Sequence, residues 1–240
     1  MDIIKKMTMK AQDNEHLEGV TIAFLGDSVT QGCFELYKKD DNSFETIFDK
    51  KHAYHMYVAD IFTRLFPTVP VNVINAGISG DNAVNGANRL KRDVLRHEPD
   101  LVVVCYGLND ASEETGSVTR YIGALNDIFE ALIQSQTEFI FMTPNMMNTR
   151  ISEHLNDTDV RVIAANKQKI QNSGCFDNHI EAAKELCGKY DIPVCDCYRI
   201  WKKMSENGVD ITELLSNKIN HPTREMNFVF AYELVKTMMD

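Results

Sequence analysis

Apolar and polar positions alternate along the chain with two different periods. Four runs are short and almost continuously apolar: VTIAFLG (20–26), VNVINAG (71–77), DLVVVCYG (100–107) and EFIFMTP (138–144). A fifth, IPVCDCY (192–198), is shorter and more mixed. These runs are rich in β-branched residues and lack strict alternation, which predicts strands buried on both faces, as in a parallel sheet. Between them the period becomes helical. Val118, Ile122, Leu125, Phe129 and Leu132 step by 4, 3, 4 and 3 and turn one stripe toward a core. Residues 53–65, 83–96 and 160–189 read as further helices, the last as one or two. Phe228, Ala231, Val235 and Met238 predict a closing helix entered through His221-Pro222, proline suiting a first turn because it leaves no N–H unpaired. Strand and helix in alternation predict an α/β fold, a three-layer α/β/α sandwich with right-handed crossovers. Residues 1–18 read as a loosely held N-terminal arm and 19–240 as a single domain. The stretches 34–52 and 145–159 read as irregular insertions on the ligand side.

Composition narrows the function. With 44% hydrophobic and 25% charged residues over 240 positions, the chain is long enough for a full core and is not a disordered or low-complexity sequence. Lys plus Arg number 25 against 35 Asp plus Glu, a net charge of −10, and no basic run exceeds two residues. Nucleic acid is therefore not an expected partner. No stretch reaches the roughly 18 apolar residues of a membrane span, and the N-terminus shows no apolar signal region. Cys105, Cys195 and Cys197 sit inside strand-like runs, where free cysteine is commonly buried. The expectation is a reduced, cytoplasmic protein.

In open parallel sheets, ligands bind beyond the carboxyl ends of the strands. After the first strand comes Gly26-Asp27-Ser28-Val29-Thr30-Gln31-Gly32. After the second comes Asn75-Ala76-Gly77-Ile78-Ser79-Gly80-Asp81-Asn82, and after the third Gly107-Leu108-Asn109-Asp110. Acyl transfer needs a nucleophile, a base, and donors for the oxyanion. Ser28 offers the hydroxyl and a backbone N–H, Gly80 an N–H with no side chain in the way, Asn109 a side-chain amide, and His221 the base. Asp27 and Asp110 read as structural, holding loop backbone.

Those four segments, Gly26-Asp27-Ser28, the Gly80 run, Gly107-Leu108-Asn109-Asp110 and His221-Pro222, together resemble the four blocks of the SGNH (GDSL-type) hydrolase family. They occur in order and span residues 22–222. The resemblance implies a flavodoxin-like five-stranded parallel sheet of order 2-1-3-4-5 and serine esterase chemistry. It assigns the nucleophile to Ser28, the base to His221 and the oxyanion hole to Ser28, Gly80 and Asn109. One position departs. The family usually carries Asp three residues before the histidine, and this chain has Lys218, which accepts no imidazole N–H and would depress the His221 pKa. A Ser–His dyad oriented by a backbone carbonyl or by Asn217 is the expectation, with Lys218 turned to solvent; Asp210 or Glu213 reaching in is the alternative.

Ser28 by itself would read as a helix N-cap, and Asn109 as a turn residue. His52 and His55 share a helix face without a third ligand, and His16, His97, His154 and His179 read as solvated surface. No G-x-S-x-G, H-E-x-x-H, Walker or dinucleotide-binding pattern occurs, so neither a metal nor a cofactor is expected. The expected partner is a small ester. The walls around Ser28, drawn from 33–52, 111–117 and 145–159, mix Phe34, Tyr37, Phe44, Met146 and Met147 with Lys38, Lys39, Asp40, Asp41 and Arg150. That mixture favours short acyl groups, such as acetyl, on a polar or carbohydrate substrate. Two other classes compete: a catalytically silent sugar- or ligand-binding module, suggested by Lys218, and a flavin or phosphate binder using the hydroxyl-rich loop 28–32.

Overall fold

A computed structural model describes all 240 residues. Its sheet is built from β1 (Val20–Gly26), β4 (Val71–Gly77), β5 (Leu101–Cys105), β6 (Glu138–Met142) and β7 (Val194–Cys195), all parallel, in the order β4-β1-β5-β6-β7. Counted among themselves these five strands run 2-1-3-4-5. Side chains alternate between the two faces. Ile22, Phe24, Val103, Cys105, Ile140 and Met142 enter one core. Ala23, Leu25, Val102, Val104, Phe139 and Phe141 enter the other.

Helices cover both faces. The first core is closed by α1 (Asp2–Gln12), α3 (Tyr54–Leu65), α8 (Cys197–Glu206) and α9 (Arg224–Met239). The second is closed by α4 (Ala83–Asp93) and α5 (Ser117–Gln134), while α7 (Cys175–Lys189) contributes to both. The remaining helices, α2 (Ser28–Gln31) and α6 (Thr158–Asn172), lie on the carboxyl side of the sheet, where the loops gather. No helix is long and apolar enough to cross a membrane.

The structure departs from the sequence expectations in several places. The expected loose arm is docked over most of its length: residues 2–12 form α1, and Ile3 and Met7 are buried in the core. The stretch 34–52 is not irregular, because β2 (Cys33–Lys38) and β3 (Phe44–Phe48) pair as an antiparallel ribbon. Pro222 does not open α9. It lies in an isolated bridge with Leu215, and Thr223 caps the helix through Met226 N–H. The stripe of α5 is Tyr121, Leu125, Ile128, Phe129 and Leu132, with Val118 and Ile122 half-buried at its margin. Cys197 opens α8 rather than continuing β7, and its sulfur lies 3.6 Å from that of Cys195 in the same core. His179 is fully buried, its Nδ1 2.8 Å from the Cys175 carbonyl, because α7 turns that face inward.

Candidate active site

β1 ends at Gly26 and the chain turns sharply into α2, a single turn of helix. Asp27 caps it, its Oδ1 accepting from Val29 N–H at 3.0 Å, so Ser28 becomes the first helical residue. An N–H at that position has no intrahelical partner. Gly77 lets the end of β4 lie against this turn, since a Cβ there would stand 2.2 Å from the Gln31 nitrogen. Gly80 follows with φ +77, a left-handed conformation that suits glycine, and a Cβ there would meet nothing within 4 Å. Its N–H makes no hydrogen bond. Asn109 donates from Nδ2 to the Asp81 carbonyl at 2.9 Å. Because β4, β1 and β5 are neighbours in the sheet, the three loops carrying Gly80, Ser28 and Asn109 leave its carboxyl edge side by side.

His221 comes from the far end of the chain, held by a compact turn. The Asn217 Oδ1 accepts from the N–H groups of Ile219, Asn220 and His221 at 3.0, 2.9 and 2.9 Å. Asn217 therefore shapes the loop and does not touch the ring. The His221 Nε2 lies 2.9 Å from Ser28 Oγ, and Nδ1 lies 2.9 Å from the Phe34 carbonyl. A carbonyl only accepts, so Nδ1 carries the hydrogen and Nε2 is left to accept the serine O–H. Lys218, at φ +58, turns its ammonium to the carbonyl and carboxylate of Glu213, away from the ring. Asp210 and Glu213 bind Arg150.

Phe34 is itself held in place. Arg224, three residues after His221, bonds Glu35 at 2.7 Å and Asp49 at 2.8 Å and lies 4.4 Å over the Phe34 ring. It thus ties β2, and the residue that follows β3, to the start of α9. Burial sets the electrostatics. It pushes His221 down to about 4, with the Phe34 carbonyl and Glu35 opposing and Lys167 adding to the fall. Burial raises Asp27 to about 7 and Asp110 to about 6. Each also accepts a backbone N–H, Asp110 from Ala83 at 2.9 Å. The cation that bears on the site is Lys167, whose Nζ donates to the Leu108 carbonyl at 2.6 Å and whose pKa burial lowers.

Phe34 was expected only as a wall residue, and nothing marked its carbonyl as the group that meets His221, since every residue carries one. Nothing in the sequence sets Lys167 or Arg224 apart from the other charged residues. His55, half of the unassigned histidine pair, is buried, with Nε2 3.0 Å from Asn75 Nδ2. A cavity of about 400 Å³ lies beside the histidine turn, lined by Tyr37, Lys38, Asn156, Asp157 and Lys218 and by the apolar Leu36, Leu155 and Val160 among others. It joins two of the segments expected as walls. The third, 111–117, borders a separate cavity of about 400 Å³ that includes Asn109 and Arg120.

An acetylxylan esterase of Geobacillus stearothermophilus is 30% identical over 92 residues, which is 38% of this chain and 40% of that protein. A gut microbial diltiazem-metabolizing enzyme superposes with a TM-score of 0.69 at 19% identity, covering 92% of this chain. This chain spans about half of that protein, 47% of its length. The crystal structure of an acetylxylan esterase from Geobacillus stearothermophilus superposes with a TM-score of 0.66 at 17% identity, over 92% of this chain and 94% of that one. At such identities the superpositions speak for the fold. The GDSL-like lipase/acylhydrolase family matches residues 24–227, from inside β1 to the first turn of α9 and so across Ser28, Gly80, Asn109 and His221, and the chain belongs to that family.

Proposed function

We propose that the protein hydrolyses carboxylic esters, with Ser28 as nucleophile and His221 as general base. The observation that carries this is the 2.9 Å contact between His221 Nε2 and Ser28 Oγ, with the opposite ring nitrogen held by the Phe34 carbonyl. In this mechanism Nε2 takes the Ser28 proton as Oγ attacks the ester carbonyl. The resulting oxyanion is met by the N–H groups of Ser28 and Gly80 and by the Asn109 amide. Losing one such donor typically costs roughly 100- to 1,000-fold in rate. The imidazolium then returns its proton to the departing alkoxide, leaving an acyl-serine and a free alcohol. Water, deprotonated by the same Nε2, repeats the attack, releasing the acid and restoring Ser28.

Short acyl esters, acetyl above all, of a polar or carbohydrate alcohol are the proposed substrates. Tyr37, Lys38, Asn156 and Asp157 give the cavity beside the histidine turn one aromatic face and several hydrogen-bonding groups, a set suited to hydroxyls. In the Geobacillus acetylxylan esterase, a serine-to-alanine and an aspartate-to-alanine substitution are each described as catalytic mutants. The first supports the role given to Ser28. In this chain the group that meets His221 Nδ1 is the Phe34 carbonyl. A phosphate or flavin site is less well served, since α2 is only four residues long and has little dipole to offer.

The test is hydrolysis of p-nitrophenyl acetate and longer-chain esters by wild type, Ser28→Ala and His221→Ala. Short esters are expected to turn over fastest, with each variant losing at least roughly 1,000-fold. A Ser28→Ala protein as active as wild type would remove the esterase reading.

A further inference from the structure

We infer that Arg89 is a positioning residue of the catalytic centre, one buried guanidinium that sets the spacing of the three loops carrying Ser28, Gly80 and Asn109. The inference rests on the oxyanion roles proposed for those residues. Arg89 lies on α4 with its side chain 7% exposed. Five hydrogen bonds employ all of its N–H groups. Nε donates to Asp81 Oδ2 at 2.7 Å; one terminal nitrogen donates to the Ala76 carbonyl at 2.6 Å and to Asp93 at 3.2 Å. The other donates to the Gly26 carbonyl at 2.9 Å and to Tyr106 Oη at 2.8 Å.

These partners are not scattered. Gly26 is the last residue of β1, two before Ser28. Ala76 is on β4, and Asp81 directly follows Gly80. Tyr106 directly follows β5, three residues before Asn109. Asp81 completes the link, since its main-chain oxygen receives the Asn109 amide. A single planar group therefore touches every segment that supplies an oxyanion donor.

The helix is adapted to this arrangement. At Gly86, one turn before Arg89, a Cβ would stand 2.5 Å from Tyr106 Oη, so any larger residue would push that ring off the guanidinium. Helix interiors disfavour glycine, and the close approach gives a reason for it here. A buried ion pair is in itself a weak source of stability, and apolar side chains of similar volume often serve as well. What they cannot supply is a rigid fork that holds two strand-end carbonyls, a hydroxyl and a carboxylate in one plane. Oxyanion donors need such precision, because a misplacement of about 1 Å can cost roughly 100-fold.

Arg89→Lys, Arg89→Met and Tyr106→Phe test the inference. Each is followed by kcat and KM on p-nitrophenyl acetate, by Tm, and by affinity for a trifluoromethyl ketone, which forms a tetrahedral adduct with a catalytic serine. Lysine keeps a charge opposite Asp81 but cannot span both carbonyls. Arg89→Lys should therefore recover much of the Tm lost in Arg89→Met, yet lose roughly 10- to 100-fold in kcat with KM within about twofold. Ketone affinity should fall in proportion. Tyr106→Phe removes one hydroxyl and should show the same pattern at roughly 3- to 10-fold. Lysine restoring rate and ketone affinity together with Tm would reduce Arg89 to a structural ion pair. Should neither Arg89 variant fold, an unchanged kcat and ketone affinity in Tyr106→Phe would overturn the inference. An active Ser28→Ala protein is a separate outcome that removes the esterase reading and the inference with it.

Discussion

A histidine whose Nδ1–H is held by a carbonyl keeps the correct tautomer but gains no counter-charge for the imidazolium it must become. His221 is in that position, and burial holds its pKa down to about 4. The base works only when neutral. The acid limb of kcat/KM is therefore expected near pH 4, with full activity retained at pH 5.5, where an ordinary histidine near 6.5 would be mostly protonated. A pH–rate profile with its limb at 6–7 would contradict this electrostatic picture. Lys218 bears on the question from the other side. Its ammonium is spent on Glu213, so Lys218→Ala should leave kcat within about twofold while removing only an exposed ion pair of small worth. A shift of the acid limb of the pH–rate profile in Lys218→Ala would show that the side chain reaches the ring. Of the orienting groups the sequence left open, a backbone carbonyl or Asn217, the ring meets a main-chain carbonyl, that of Phe34, 187 positions from His221.

Among the elements, α1 shows how a polar-looking segment becomes part of the core. Its first two N–H groups, which no helix can satisfy internally, donate to the two carboxylate oxygens of Glu138 at 3.0 and 3.1 Å. Ile3 and Met7, one helical turn apart, enter the same core as Trp201 and Phe230. Met7→Ala should cost about 2–4 kcal/mol in urea unfolding, the usual range for emptying a buried methionine site. A loss below about 0.5 kcal/mol, typical of an unburied surface position, would mean that the segment is not docked in solution. The β2–β3 ribbon presents the opposite case. Tyr37, Phe44 and Phe48 are exposed on it, and a lone two-stranded ribbon is marginal in water. The Arg224 bonds to Glu35 and Asp49 hold its root, where Phe34 meets His221. Neither the cap at Glu138 nor the clamp at Arg224 follows from residues near the elements they hold.

Across the whole molecule, buried titratable groups act on stability in opposite directions. His221 and His55 are lowered to about 4, so the unfolded chain binds more protons between about 4 and 6.5 and they make stability rise with pH in that window. Asp27 and Asp110 are raised to about 7 and about 6, so the folded chain binds more protons above 3.8 and they make stability fall as pH rises. The effects offset one another between about 4 and 6, and above 6.5 the cost of Asp27 stands alone. Asp27→Asn keeps an oxygen for Val29 N–H and removes the buried charge. It should raise Tm clearly more at pH 8 than at pH 5, by on the order of 2–4 °C for each kcal/mol relieved in a chain of this size. Equal shifts at the two pH values in thermal unfolding would show that Asp27 is not ionising in this range.

Hydrophobic period is a local property, which is why β1, β4, β5 and β6, their parallel arrangement, and the loops bearing Ser28, Gly80 and Asn109 were all readable along the chain. A buried strand must be apolar on both faces, and polar residues at its carboxyl end stand out against it. β7, α8 and the ribbon were harder, because two-residue strands and exposed ribbons carry too little periodicity to register. Outside the four segments bearing Ser28, Gly80, Asn109 and His221, contacts between distant parts of the chain left no local trace. The Phe34 carbonyl has no residue-type signature, and Arg89, Lys167 and Arg224 look in sequence like any charged residue on a helix. They acquire their roles only when folding brings acceptors from distant segments to them, most completely at Arg89, whose buried charge must be matched by partners that the chain supplies from far away.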